Sequence, residues 1–423
     1  MNKEEILKEH IENIKISEAE LKKIKEKTDE IISKINLELK KKKIAGDVFV
    51  GGSFAKGTII KKELFDIDIF VRFSENKKYR DNEISGILEK VLKKLKPKKI
   101  HGSRDYFRAQ EKNIGFEIIP VLKISNPEKA KNVTDLSFFH VSYVKKELEK
   151  NKKLAEQIML AKSFCFAQGV YGAESYINGF SGYGLELLII HYKSFLKFIE
   201  SVPKHKDLIV IDIGKHYKTK KDVLENLNES KLDSPIIFID PTYKERNVLA
   251  ALSWETFEKF KKICREFLKN PKIKFFEKHD LNIGEIQKKA KIKKAELLVL
   301  KTKTKKQEGD IAGTKLLKFF NFFKIDLEKN FDVLEKGFEY RERKEAVFYF
   351  LIKIKKKIII NGPPINSFEN VVKFKQKHKN VLIKNHKTYA VEKPLMTDEF
   401  LKTFRKKYRI VMRDMEICGF GRA

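Results

Sequence analysis

Two short stretches inside residues 51–70, Gly51-Gly52-Ser53 and Asp66-Ile67-Asp68, constrain this chain more than anything else in it. Val48, Phe49 and Val50 before the glycines read as a short strand. Ile67, Ile69, Phe70 and Val71 around the aspartates read as a second. Side chains alternate along a strand, so Asp66 and Asp68 share one face and Ile67 and Ile69 the other. Two carboxylates on one face of a buried strand repel each other, and a divalent cation between them removes the conflict. Glycines after a strand let backbone approach a phosphate closely, and the Ser53 hydroxyl adds a donor. Either part alone is a common turn or a solvated strand end. In this order and at this separation they point to a metal–triphosphate site.

The length of 423 residues implies several domains. No run approaches the apolar length of a membrane span. The opening MNKEEILKEH has acids and no apolar signal core, so no export is expected. Cys165, Cys264 and Cys418 are far apart and make no metal spacing; they read as buried or indifferent thiols of a cytoplasmic chain. The net charge of +32 favours a polyanionic partner, most simply nucleic acid. A lysine-rich proteome gives the same excess, so the charge serves as support for the motifs only.

Residues 4–43 read as two helices, with a capping box of Ser17 and Glu20 opening the second. A helix over 83–95 follows the acidic strand, then a strand over 115–121. Glu117 is a lone acid in that apolar run; it faces solvent at an edge or joins the aspartates around a shared metal. Ser137 and His140, three apart, face one way on a helical turn. A helix spans 152–167, a glycine- and aromatic-rich turn 168–184, and a long helix runs from there to about 201. A strand is expected over 236–239, and Ser253 caps a helix over 254–269. Beyond 271 the pattern becomes a smaller α+β region, with strands over 295–300 and 346–354 and a helix over 312–325. Residues 353–392 are dense in lysine with Phe368, Phe374 and Tyr389 interleaved, which suits an RNA surface or a plain solvated face.

The acidic and glycine motifs resemble those of the nucleotidyltransferase superfamily of DNA polymerase β and the poly(A) polymerases. From about residue 45 to about 392 the chain is similar to the archaeal-type (class I) CCA-adding enzymes, which are tRNA nucleotidyltransferases. The resemblance lies in GSFAKGT (52–58), DIDIFV (66–71), EIIPVLK (117–123) and TDLSFFH (134–140). It continues in LAKSF (160–164), GVYGAE (169–174), GFSGYGLELLI (179–189) and IDPTYKERNVLAALS (239–253). NGPP (361–364) and ENVVKF (369–374) extend it into the basic region. It implies that Asp66, Asp68 and Glu117 are catalytic and hold two Mg²⁺. It also implies that Gly52, Ser53, Lys56, Ser137, His140, Lys162 and Tyr171 hold the triphosphate and sugar of CTP or ATP, and that Arg246 helps read the base. The family usually has Asp at the position of Glu117, Arg at Lys56 and Thr at Ser137.

The implied fold is α+β and multidomain: a polymerase β-like nucleotidyltransferase head with a mixed sheet (1–143), a helical neck (144–270), a small α+β body (271–310 and 393–423) and a basic, tRNA-binding tail (311–392). The implied partner is tRNA, through its acceptor stem and T arm; a homodimer is left open. The implied reaction is template-independent addition of C, C and A to the tRNA 3′ end. Two alternatives stand beside it: a related enzyme adding one nucleotide type, and a degenerate RNA-binding homologue.

Overall fold

The computed structural model describes residues 2–74, 79–278, 281–340 and 343–423. The chain divides into two compact units, residues 1–173 with 177–278, and residues 174–176 with 279–423.

The first unit opens with α1 (Lys3–Ile14) and α2 (Glu18–Lys41). The Ser17 hydroxyl accepts from the Glu20 amide, and the Glu20 carboxylate accepts from Ser17, so the expected capping box starts α2. Next come β1 (Gly46–Val50), the single turn α3 (Gly52–Ala55), β2 (Phe65–Ser74), α4 (Ile84–Leu92), β3 (Lys98–Ile100), β4 (Tyr106–Glu111) and β5 (Ile114–Lys123). The five strands form one mixed sheet in the order β1-β2-β5-β4-β3, with β2 and β5 parallel and the other neighbours antiparallel. Phe65, Ile67, Ile69, Val71 and Phe73 pack with Phe116 and Ile118 against Ile24, Ile31 and Ile35 of α2 and Leu88 and Leu92 of α4. The period of two that buries these residues leaves Asp66, Asp68 and Glu117 on the opposite face.

Helices α5 (Ser137–Lys150), α6 (Lys153–Ala167), α7 (Gly182–Tyr192) and α8 (Phe195–Ser201) follow. Then come β6 (Ile209–Ile211), α9 (Lys220–Asn226), β7 (Ile236–Asp240), β8 (Tyr243–Asn247) and α10 (Trp254–Lys269). Leu160, Phe164, Leu188, Phe198 and Phe260 form a second core, to which α1 adds Ile6, Leu7 and Ile11. The long helix expected to run to about 201 is broken. Lys193 takes φ +67°, ending α7, and the Ser194 hydroxyl accepts from the Lys197 amide to start α8. Strand β8, unmarked in the sequence, pairs antiparallel with β7, and β6 flanks β7 in parallel.

The second unit contains α11 (Ile283–Ile292), β9 (Glu296–Thr304), α12 (Asp310–Asn330), β10 (Phe331–Tyr340) and β11 (Glu345–Ile354). It continues with β12 (Ile358–Pro364), α13 (Phe368–Lys377), β13 (Val381–Lys384), β14 (Lys387–Glu392), α14 (Thr397–Lys407), α15 (Arg409–Asp414) and β15 (Ile417–Arg422). An antiparallel sheet in the order β10-β11-β9-β15 packs its phenylalanines against Phe319, Phe320 and Phe323 of α12 and Phe400 and Phe404 of α14. A separate sheet in the order β12-β14-β13 carries α13. The boundary expected at residue 311 falls inside α12, and the hairpin of β10 and β11 joins the same sheet as β9.

Candidate active site

The sequence-predicted residues gather around three anionic centres in the first unit. The first is the acidic face of the sheet. Asp68 lies opposite Glu117 across the parallel β2–β5 pair, and Asp66 lies opposite Gly115. Among the described residues the Asp66 and Asp68 side chains have neither a hydrogen bond nor an ion pair. Burial, then the charges of Glu117 and Asp66, push the Asp68 carboxyl up to about 7, with Lys56 and Lys162 pulling the other way. The turn before β2 is built around this carboxylate. The Gly51 amide donates to the Asp68 carbonyl at 2.8 Å. Gly52 sits at φ +58°, and a Cβ there would lie 1.7 Å from Asp68 Oδ2.

Glu117 is on the acidic face, as the aspartates require, but its carboxylate is engaged. Arg108 of β4, its cross-strand neighbour, donates from Nε at 3.0 Å and Nη2 at 2.6 Å to the same oxygen. No group of three or more Asp, Glu, His or Cys side chains stands close enough together to hold a metal ion among the described residues. Asp66 and Asp68 fit a hard divalent cation: oxygen donors, unpartnered, with a carboxyl that burial and like charge make costly to ionise alone.

The second centre is Glu186 of α7, fully buried. Its two oxygens accept from Lys56 Nζ at 2.6 Å and Lys162 Nζ at 2.7 Å, and the Thr58 hydroxyl lies 3.3 Å from the second. Lys162 also donates to Thr58 Oγ1 at 3.0 Å. Burial alone would raise the Glu186 carboxyl, but the two ammonium groups hold it down at about 2. The sequence reading missed Glu186. A lone acid in the apolar run GYGLELLII was the available signal, the same one that flagged Glu117.

The third centre is Asp240, at the end of β7 and fully buried. One oxygen accepts from Arg246 Nη1 at 3.2 Å and lies 2.9 Å from His140 Nε2, which is also 2.9 Å from Arg246 Nη1. The other accepts from the Tyr183 hydroxyl at 3.1 Å and from the Thr242 amide and hydroxyl at 2.9 and 2.7 Å. Against the cost of burial, these partners keep its carboxyl near 2. Burial lowers the His140 pKa against the opposing pull of Asp240, and the charges of Arg246 and Lys56 add to the lowering. The Tyr183 ring stacks on His140 with centroids 4.1 Å apart. Asp240 and Tyr183 were likewise not identified from sequence.

Ser53, Asp66, Lys162 and Tyr171 line one cleft, together with Thr58, Lys62 and Phe166. Lys62 Nζ sits 4.9 Å from the Phe166 ring centroid. Ser137 opens α5 one turn before His140. Lys56 acts on both Asp68 and His140 through space, which ties the three centres into one electrostatic site. In the second unit, Phe368 is 77 % exposed, whereas Phe374 packs on His378 and Tyr389 is half-buried; one of the three expected tail rings is open. Cys165 and Cys264 are buried and Cys418 is exposed. No helix among the described residues is long and apolar enough to cross a membrane.

Residues 156–277 match the family described as tRNA nucleotidyltransferase, second domain. Residues 1–137 match the Second Messenger Oligonucleotide or Dinucleotide Synthetase domain. The chain is 36 % identical over 341 residues to a CCA-adding enzyme of Nanoarchaeum equitans, covering 80 % of this chain and 81 % of that one. It is 30 % identical to a CCA-adding enzyme of Methanosarcina mazei, covering 96 % and 92 %, and 31 % identical to one of Methanocaldococcus jannaschii, covering 92 % and 87 %. Among solved structures, the Cid1 poly(U) polymerase superposes with a TM-score of 0.51 at 13 % identity, over 65 % of this chain and 98 % of that one. That likeness shows a shared nucleotidyltransferase fold.

Proposed function

The chain belongs to the archaeal CCA-adding enzymes, and from that premise we propose how its residues carry the reaction. The activity is template-independent: C, C and A are added to the 3′ end of tRNA from CTP and ATP, and each addition releases pyrophosphate. The observation that carries the site assignment is the unpartnered Asp66/Asp68 pair, with Asp66 on the same cleft as Ser53 and Lys162.

Asp66 and Asp68 would hold Mg²⁺, and Glu117 would complete a two-ion set on leaving Arg108. When bound, the metal supplies Lewis-acid activation of the RNA 3′-hydroxyl and charge neutralisation on the leaving pyrophosphate. Lys56 and Lys162 face the triphosphate with ammonium groups already desolvated, so they act at low dielectric. The Ser53 and Ser137 hydroxyls donate to phosphate oxygens, and Gly52 gives the backbone close access. Tyr171 packs on the sugar. Asp240 fixes one nitrogen of Arg246, which leaves the rest of the guanidinium for the base edge. His140 Nε2 sits 2.9 Å from both Asp240 and Arg246 Nη1 and fixes the guanidinium from its other side.

The division into head, neck, body and tail, the acceptor stem and T arm as the tRNA contacts, a homodimer and a cytoplasmic setting are further parts of this reading. Limited proteolysis, footprinting and sedimentation test the first three.

The decisive assay supplies tRNA lacking its last three nucleotides. With CTP alone the product should lengthen by two, and with CTP and ATP by three, ending in CCA. Extension with a single nucleotide type only would favour the single-nucleotide alternative; tight tRNA binding without transfer would favour the degenerate one.

A further inference from the structure

We infer that Glu186 is the positioning residue of the triphosphate site: a buried anion that holds Lys56 and Lys162 in place, with their remaining N–H donors left for an incoming nucleoside triphosphate. This rests on the assignment of the cleft to nucleotide binding and adds a residue that assignment does not contain. A carboxylate that is 0 % exposed in an apolar helix persists only with partners that offset its lost hydration. Glu186 has two, and they come from different parts of the unit: Lys56 directly after the Gly52–Ala55 turn, Lys162 from α6.

The stoichiometry carries the inference. Here two ammonium groups, with side chains 8 % and 6 % exposed, share one carboxylate, which leaves a buried positive charge in excess. Their unused N–H donors need an acceptor. Lys162 lines the cleft with Ser53 and Asp66, so the acceptor that fits is a polyanion entering there. The Thr58 hydroxyl, bridging Lys162 and Glu186, helps keep the lysine aimed.

The test is equilibrium binding of CTP, with Mg²⁺ and without tRNA, across pH. The charged groups acting on Lys162 are Glu186 from α7, Lys56 and Lys62 from the segment joining β1 to β2, and Asp68 from β2. Glu186→Gln removes the anion that Lys162 touches among the described residues. Affinity for CTP and ATP alike should fall by about tenfold, the size of one lost charged hydrogen bond. The loss should deepen as pH rises, because burial already lowers the Lys162 pKa and Glu186 is the group that raises it, so wild type should fall less. KM for both nucleotides should rise with KM for tRNA unchanged. Glu186→Asp keeps the charge but spans to one lysine only; it should bind CTP several-fold more weakly with a pH profile like that of wild type. Wild-type affinity in Glu186→Gln at every pH, or in Glu186→Asp if the first variant does not fold, would overturn the inference. So would a fall in kcat with KM for both nucleotides unmoved. A wild-type protein that binds CTP but never extends tRNA would refute the proposed function and leave this test standing.

Discussion

Asp68 on β2 stands directly opposite Glu117 on β5, and Arg108 on β4 stands opposite Glu117 on its other side. Three neighbouring strands thus set an acid, an acid and a base in one row across the open face of the sheet. The parallel register of β2 and β5 brings Asp68 under the Glu117 charge; the antiparallel register of β5 and β4 gives Glu117 a cation to hold. Of the two acids in this row Asp68 is the one without a partner, and its carboxyl rises to about 7.

Asp68→Asn should abolish nucleotide transfer, a loss of at least a thousandfold, while raising the metal-free melting temperature at pH 7–8 by a few degrees. The sign follows from linkage. A carboxyl with folded pKa near 7 and an ordinary unfolded pKa contributes stability below the unfolded value and loses it as pH rises to about 7. Asparagine removes that loss. Thermal unfolding from pH 4 to 8 checks it, and Mg²⁺ should stabilise wild type but not the variant.

Gly52→Ala should damage the site from the turn. The residue sits at φ +58°, and its new Cβ would fall inside the Asp68 carboxylate. The expected cost is ~1–3 kcal/mol of stability, with transfer reduced by two orders of magnitude or more. Urea unfolding and a single-turnover assay measure the two effects separately.

Arg108→Gln should lower the Mg²⁺ concentration needed for half-maximal rate. Arg108 competes with the metal for Glu117, and both side chains are partly exposed, 47 % and 24 %. Loss of so exposed a pair should change stability by under ~1 kcal/mol. A Mg²⁺ titration of the variant against wild type is the check.

Asp240→Asn should cost ~3–5 kcal/mol, because it leaves Arg246 next to His140 without a buried counter-charge. Asp240 in wild type adds stability above the ordinary carboxylate range and loses it as pH falls toward 2, so the difference between the proteins should shrink in acid. Denaturant melts at pH 7 and pH 3 test this. Incorporation of UTP and GTP should rise as Arg246 loses its anchor.

What the sequence revealed was local. Asp66 and Asp68 share a face because strands alternate, and Ser17 and Ser253 mark helix starts because a hydroxyl can satisfy an amide three residues on. The residues that escaped detection act across distance in the chain. Glu186 meets Lys56 130 positions away, and Asp240 meets His140 100 positions away. Nothing near either acid names its partner, though an acid inside an apolar run requires one. Arg108 was unreadable for the same reason, since its role depends on β4 lying beside β5. The break at Lys193 was hidden because a left-handed lysine has no signature in composition. The hairpin of β10 and β11 looked separable because its pairing with β9 skips the whole of α12.

Crystals grown with CTP and Mn²⁺ test the central claim most directly, through anomalous scattering from the metal. The account predicts a peak between the Asp66 and Asp68 carboxylates, with Glu117 turned from Arg108 toward it and the triphosphate against Lys56 and Lys162. Metal bound elsewhere on the protein, with the aspartates bare beside an ordered CTP, would contradict it.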